Sequence, residues 1–354
     1  MKKLLAVLLI VALVLPLAAS VAVAQDKPYI AIVSKGFQHQ FWQVVAKGAQ
    51  AAAEQYGVEI TFDGPPTESD IAIQVDMLKS AIDKKPAAIA LAALDTESVK
   101  EQLATLKDAG IPVVGFDSGV PGAPEGSIYA TASTDNKAAA AIAAEHLFAD
   151  ESFAAKVAAA TADAPITVAV ISQDATSESI VSRTTGFIDK LVELVGEDLT
   201  SVEGHDKYAR ANDAAVLKIV VNVPATTSAA DQKTGAEALL SLEPAAIYAS
   251  NENAAGGVLA ASNDGSDFDS EKGKFKDIIA IGFDAGKTQR TAVEKGWFLG
   301  SVTQDPYQIG FKAVELAVSA IEGKAAESEI VDTGAKWYDA GNLDDPAVSE
   351  LVYE

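Results

Sequence analysis

Four short polar groups stand out because each follows directly on an apolar run. Lys35, Gln38 and His39 follow 29–33, Asp117 and Ser118 follow 112–116, Asn251, Glu252 and Asn253 follow 245–250, and Asp284 follows 278–283. Their chemistry is recognition. An ionised carboxylate only accepts hydrogen bonds, and an asparagine both donates and accepts, so together they suit a ligand rich in hydroxyls. Phosphate and nucleotide sites use similar strand-end groups, so the motifs must decide. No Gly-x-Gly-x-x-Gly follows a strand and no Gly-x-x-x-x-Gly-Lys-Ser/Thr loop occurs, which leaves dinucleotide and nucleoside-triphosphate sites without support. No Gly-x-Ser-x-Gly elbow occurs either. His39, His146 and His205 lie on different elements and lack the spacing of zinc ligands. The chain has no cysteine, which rules out disulfides, thiolate metal sites and a thiol nucleophile. No cofactor, no metal and no catalytic residue are expected. An enzyme working through carboxylates alone stays open as a reading from a different class.

The elements that must position these groups come in two rounds. Period-2 and continuous apolar runs predict strands at 29–33, 58–62, 87–92 and 112–116, with helical spacing at 40–56, 71–83 and 96–109 between them. The order restarts downstream. Helices are predicted at 136–149, 182–195, 234–241 and 254–262, and strands at 167–171, 218–223, 245–250 and 278–283. Alternating strands and helices give an α/β fold of two doubly wound parallel sheets. Such sheets bind ligands at the carboxyl ends of their strands, and two facing units place a polar cleft between them.

The first 24 residues read as a secretory leader. Lys2 and Lys3 start it, an apolar run from Leu4 to Val23 broken by Pro16 follows, and Ala22-Val23-Ala24 offers the small-x-small pattern of a cleavage site. With no cysteine at that site, the export is not that of a lipoprotein. The formal net charge of −23 would repel phosphate backbones, so nucleic acid is not expected as a partner. The acids are scattered, as in a solubilising surface.

Six stretches resemble the periplasmic ribose/galactose-type binding proteins, the sugar-binding components of ATP-driven (ABC) importers, whose lobes are shared with the LacI-type repressors. They are 34–42 (SKGFQHQFW), 113–118 (VVGFDS), 182–187 (SRTTGF), 249–252 (ASNE), 281–284 (IGFD) and 302–306 (VTQDP). A repressor would carry a helix-turn-helix where this chain has its leader. The resemblance implies ring stacking on a sugar by Phe41 and Trp42, whose other reading is a core helix start. It implies hydroxyl-accepting carboxylates at Asp117 and Asp284, whose other reading is helix capping. Arg183, at the opening of its helix, would fork onto two sugar oxygens with little consequence for the fold, against the alternative of a surface ion pair. Asn251 and Gln304 would each donate and accept, and Gln38 and His39 occupy the variable first loop. Ser118 stands where many ribose binders have arginine, and Thr227, within Thr226–Ser228, where some have an aromatic. Both departures make the expected pocket less bulky and less cationic, as for a ligand larger than ribose or a linear polyol.

The implied architecture is a periplasmic binding protein-like type I pair of lobes joined by a three-segment hinge. Residues 25–134 with 305–333 form the amino-terminal lobe, and 135–304 with 334–354 the carboxy-terminal lobe, with 196–214 left without a role. The implied function is capture of a monosaccharide or polyol in the periplasm by a monomer that delivers it to the membrane permease of an ABC importer. Presentation to a chemotaxis or signalling receptor is the other reading of the same binding class.

Overall fold

The computed structural model describes residues 27–353 except Gln38. The leader and its cleavage site lie outside the described residues. In chain order the first part runs β1 (Tyr29–Val33), α1 (Gln40–Tyr56), β2 (Glu59–Asp63), α2 (Ile71–Asp83), β3 (Ala88–Leu91), α3 (Lys100–Asp108), β4 (Val113–Phe116) and β5 (Thr131–Ser133). The second part runs α4 (Asn136–Ala149), α5 (Glu151–Ala159), β6 (Ile166–Ile171), α6 (Glu178–Val195), β7 (Thr200–Glu203), β8 (Leu217–Asn222), α7 (Ala229–Leu240), β9 (Ala246–Ala249), α8 (Glu252–Ala261), β10 (Ile279–Phe283), α9 (Lys287–Glu294) and β11 (Phe298–Gln304). The chain ends with α10 (Pro306–Ile321), β12 (Ile330–Asp332), β13 (Ala335–Tyr338) and α11 (Pro346–Ser349).

The strands form two sheets, ordered β12-β5-β4-β3-β1-β2 and β13-β11-β10-β9-β6-β8-β7. The first is parallel throughout. In the second only β13 runs antiparallel, on β11. Such sheets are covered on both faces, which is why β3, β4 and β9 are buried along their whole length. The strand order reverses beside β1 in one sheet and beside β6 in the other, and the crevice outside such a point is where ligands bind.

The chain passes from one sheet to the other at three neighbouring places, after β5, after β11 and after β12. These segments are bonded to one another: the Thr134 hydroxyl to Gln304 Oε1 at 3.0 Å, Thr333 N to Ser133 O at 2.9 Å, and Asp135 N to Asp332 Oδ1 at 3.0 Å.

Several helix starts differ from the sequence expectation, earlier or later, because polar side chains before the helix hold the backbone there. Asp174 Oδ1 accepts from the backbone of Thr176 and Ser177, which holds the chain so that α6 starts at Glu178, four residues before Ser182. Ser228 accepts from Asp231 N and starts α7 at Ala229. Asp95 holds the amides of Glu97 and Ser98 in a turn and delays α3 to Lys100. The segment 196–214 supplies β7, the edge strand of the second sheet.

Close helix packing depends on glycine. A Cβ on Gly48 would lie 2.0 Å from the Tyr307 carbonyl oxygen, and one on Gly310 would lie 1.9 Å from that of Val45, so α1 and α10 touch backbone to backbone. Overpacking of this kind costs about 1–3 kcal/mol, more than the roughly 1 kcal/mol that alanine gains over glycine in a helix. Gly48→Ala is therefore expected to lower the urea midpoint. Gly256 lies on the exposed side of α8 with nothing within 4 Å of an added Cβ, so Gly256→Ala is expected to raise it. Equal midpoints for the two variants would contradict this packing.

Candidate functional site

The carboxyl ends of the two sheets face each other, and the polar groups following them meet in one cavity. From the first unit the walls are Lys35 and His39 after β1, Phe41 and Trp42 in the first turn of α1, Glu68 after β2 and Asp117 after β4. From the second they are Ile180 and Arg183 on α6, Asn251 and Glu252 after β9, Asp284 after β10 and Gln304 at the end of β11. The enclosed space is about 20 Å3, room for about one water. Larger grooves exist, one of about 910 Å3 beside Leu242, Pro244 and Phe275 at the opposite end of the second sheet. It lacks the convergent buried polar groups of the central cavity.

The two units contribute matching halves. Gly115-Phe116-Asp117 and Gly282-Phe283-Asp284 end β4 and β10, and both aspartates adopt a left-handed backbone, at φ 54° and 77°. Aspartate tolerates that region better than most residues. Each is paired with a buried cation. Lys35 Nζ lies 3.1 Å from Asp117 Oδ2. Arg183 Nη1 lies 3.6 Å from Asp284 Oδ2, its Nε donates to Asn136 Oδ1 at 2.8 Å, and its guanidinium sits 4.0 Å over the Phe283 ring. Asp284 also accepts from Gln304 Nε2 at 2.7 Å and from the backbone of Glu252 at 3.0 Å. Neither aspartate caps a helix of its own.

Burial alone would lower the Lys35 ammonium, but Asp117, Glu68 and Asp174 outweigh it and hold the pKa above its usual value. Burial pushes the Asp117 carboxyl up, against the pull of Lys35 and Arg183. Burial also works to raise Glu68, but the charges of Lys35 and His39 and the hydrogen bonds from Trp42 and Gln173 prevail and keep it below the usual carboxylate range. Glu252 is pushed up to about 8 by burial and by the neighbouring Asp284 carboxylate.

A chain of hydrogen bonds crosses the cavity. Trp42 Nε1 donates to Glu68 Oε1 at 2.8 Å, Gln173 Nε2 to Glu68 Oε2 at 3.0 Å, and Asn251 Nδ2 to Gln173 Oε1 at 2.7 Å. It fixes the indole and joins the two units. Lys35 Nζ adds a bond across the interface, to Ser179 Oγ at 3.0 Å.

His39, Phe41, Trp42, Asp117, Arg183, Asn251, Asp284 and Gln304 are thus brought to one cavity. Gln38 lies outside the described residues. Ser118 and Thr227 are off the wall and bond across the interface instead: Ser118 Oγ accepts from Ser179 N at 3.3 Å, and Thr227 N donates to Ser69 Oγ at 2.7 Å. Asn251 caps α8 through Ala254 N as well as facing the cavity. Arg183 lies within α6 rather than at its opening and is 2% exposed, which removes the surface-pair alternative and ties it to the fold. The pocket is also not poor in cations, because Lys35 stands beside Asp117.

Sequence reasoning did not single out Lys35, Glu68, Ile180 and Glu252 as wall residues. Lys35 and Glu252 sat inside strand-end groups already noticed. Glu68 follows β2, a strand with no fully buried residue, and the Gly64-Pro65-Pro66 turn before it reads as ordinary loop. Among the described residues no group of histidine and acidic side chains could hold a metal.

Known proteins share the fold of this chain. The family model described as "Periplasmic binding protein domain" matches residues 30–325. The D-allose-binding periplasmic protein of Escherichia coli (strain K12) is 25% identical over 316 residues, covering 86% of this chain and 90% of that protein. A solved structure described as "ABC transporter, LacI family transcriptional regulator from Brachyspira murdochii" is 42% identical at a TM-score of 0.75, covering 93% of this chain and 99% of that one. An ABC transporter solute-binding protein from Agrobacterium vitis, solved with bound D-fucose, is 28% identical at a TM-score of 0.76, covering 92% of this chain and 100% of that one.

Proposed function

We propose, from the premise that this chain belongs to the periplasmic binding protein domain family, that it captures a small neutral sugar or polyol between two lobes and hands it unchanged to an ABC-type importer. The observation that carries the reading is the cavity itself: strand-end carboxylates and amides from both sheets converge on it, and both buried cations are already paired. Acceptors in excess suit a hydroxyl-rich ligand. An anionic sugar would meet Glu68, Asp117 and Asp284, and each of the wall cations Lys35 and Arg183 already faces one of these carboxylates. The relatives whose descriptions mention D-allose and D-fucose support the same class.

In this reading Asp117, Asp284, Asn251 and Gln304 accept from and donate to hydroxyls, Arg183 reaches two ligand oxygens, and the Phe41–Trp42 pair presents an apolar wall. Gln38 and His39 complete the first loop. The lobes are 25–134 with 305–333 and 135–304 with 334–354, and the three connecting segments are the hinge. The protein works outside the cytoplasm. The Lys2-Lys3 start, the apolar run and Ala22-Val23-Ala24 support release into the periplasm after Ala24, the lack of cysteine argues against a lipid anchor, and the net charge of −23 argues against nucleic acid as a partner; the protein works as a monomer.

The cavity of about 20 Å3 is too small for a monosaccharide, so the lobes must part to load it. Ligand then selects a closed form. Small-angle scattering should show the radius of gyration shrink when the matching sugar is added. An unchanged radius with a sugar that demonstrably binds would remove the hinge mechanism.

A further inference from the structure

The hydrogen-bond chain through the cavity has a direction, and the groups at its two ends set it. At one end stands the Glu68 carboxylate, which only accepts. It takes Trp42 Nε1 at 2.8 Å and Gln173 Nε2 at 3.0 Å. Gln173 is 1% exposed, and the same nitrogen lies 3.4 Å from a second carboxylate oxygen, Asp174 Oδ2. A turned Gln173 amide would set its oxygen against both carboxylates, so its Oε1 must point the other way, toward Asn251. At the far end Ala254 N, in the first turn of α8, only donates, and Asn251 Oδ1 accepts from it at 3.0 Å. Asn251 Nδ2 therefore faces Gln173 Oε1, at 2.7 Å. Both ends demand the same direction, and neither amide turns without losing two bonds. An amide nitrogen carries two hydrogens. One of those on Asn251 goes to Gln173, and the other is what Asn251 offers the cavity it lines. Gln304 is fixed in the same way: its Nε2 donates to Asp284 Oδ1 at 2.7 Å, and its Oε1 accepts from the Thr134 hydroxyl at 3.0 Å.

We infer that this direction divides the work of the site: Asn251 and Gln304 meet the ligand as N–H donors, and the carboxylates alone accept. Gln173, which lies behind the wall, is the positioning residue that holds Asn251 to its part. The ligand class follows from the polarity. At Asn251 the sugar or polyol must present an oxygen that accepts, either a ring oxygen or a hydroxyl whose hydrogen points elsewhere. At the carboxylates it must present hydroxyls that donate. A compound that fills the cleft but sets a donor against Asn251 leaves two N–H or O–H groups facing each other in a buried place, and is rejected. The inference deepens the proposed sugar capture and rests on it.

Two double substitutions conserve charge and differ in the direction of the chain. In Glu68→Gln with Gln173→Glu, the new amide accepts from Trp42 and donates to the new carboxylate, which still accepts from Asn251. The direction at Asn251 is kept. In Glu68→Gln with Asn251→Asp, the chain closes in reverse. The new amide donates to Gln173 Oε1, and Gln173 Nε2 donates to the new carboxylate, which still caps α8 but has no hydrogen for the ligand. Both doubles lose the Glu68 carboxylate, so any contact it makes with the ligand cancels, and both set an oxygen beside Asp174. Calorimetric titration with neutral pentoses, hexoses and linear polyols first finds a compound that the unsubstituted protein binds. The first double should bind that compound at least about tenfold more tightly than the second. It should also bind more tightly than Glu68→Gln alone, in which two N–H groups meet at Gln173. Equal affinities of the two doubles, or tighter binding by the second, would overturn the inference. Urea unfolding shows whether both doubles fold. If one does not, the unsubstituted protein decides, with deoxy and fluoro-deoxy analogues of the bound compound. Fluorine accepts weakly and cannot donate, so at one position or more the fluoro analogue should bind more tightly than the deoxy one. No such position would overturn the inference. If the unsubstituted protein binds none of the neutral compounds, the sugar reading fails and takes the inference with it. If it binds one and the doubles agree, the inference fails alone.

Discussion

Arg183→Ala is expected to weaken sugar binding by at least about tenfold and to destabilise the fold as well. Arg183 is 2% exposed and is held by Asn136 Oδ1, by the Ser250 carbonyl at 3.4 Å and by Asp284. Removing one partner of a buried charge pair leaves the other charge uncompensated, at a cost of about 3–5 kcal/mol. Asp284 keeps its bonds from Gln304 and from Glu252 N, so the loss belongs at the lower end of that range. A ligand hydroxyl buried without its donor costs about 1–3 kcal/mol more, and about 1.4 kcal/mol corresponds to each tenfold in affinity. Arg183→Lys should recover only part of either loss. A single ammonium cannot serve Asn136, Ser250 and Asp284 at once or stack on Phe283 as a planar guanidinium does. Calorimetric titration and urea unfolding of the same preparations read both effects. A dissociation constant within about twofold of the unsubstituted protein would place this arginine outside the ligand's reach.

Asp117 offers a cleaner separation of binding from folding. Its backbone sits at φ 54°, a region that asparagine also tolerates and alanine does not. Asp117→Asn keeps size and backbone but gives up the charge. A hydrogen bond to a charged group contributes about 1.5–3 kcal/mol, so affinity should fall roughly ten- to hundredfold. Lys35 loses its 3.1 Å partner but retains the fields of Glu68 and Asp174, so the fold should survive. Asp117→Ala should bind as weakly and, in addition, lose about 1–2 kcal/mol of stability to the left-handed backbone. Unchanged affinity in the asparagine variant would remove Asp117 from the binding site. Equal stability of the two variants would remove the backbone argument.

Asp117 and Asp284 were readable in the sequence because each follows a short apolar strand, β4 or β10, and a parallel sheet buried on both faces leaves few other places for a polar residue to go. The order of strands and helices was readable for the same reason. The short strands at or next to the sheet edges were not. β5, β7, β12 and β13 have three or four residues each and carry little pattern, and their pairing depends on neighbours far along the chain. Helix starts were misjudged where Asp174 or Ser228 holds the backbone ahead of the apolar spacing. Within the site, Ser118 and Thr227 show a different limit. A small hydroxyl at a strand end can face a ligand or the opposite lobe, and only the approach of the lobes decides which. Glu68 escaped notice because its position in the cavity comes from the pairing of β2 with β1 rather than from anything local.

The central claim is that the cleft takes a neutral, hydroxyl-rich small molecule and leaves it unchanged. Calorimetric titration of the purified protein tests this most directly, with neutral pentoses, hexoses and linear polyols set against the corresponding sugar acids and sugar phosphates. The expected result is one saturable site for at least one neutral compound, no binding of the anionic ones, and recovery of the bound compound intact. At 100 times its dissociation constant that compound should stabilise the fold by about 2.7 kcal/mol. Absence of binding by every neutral sugar and polyol, preference for an anionic one, or conversion of the bound sugar during the titration would contradict the account.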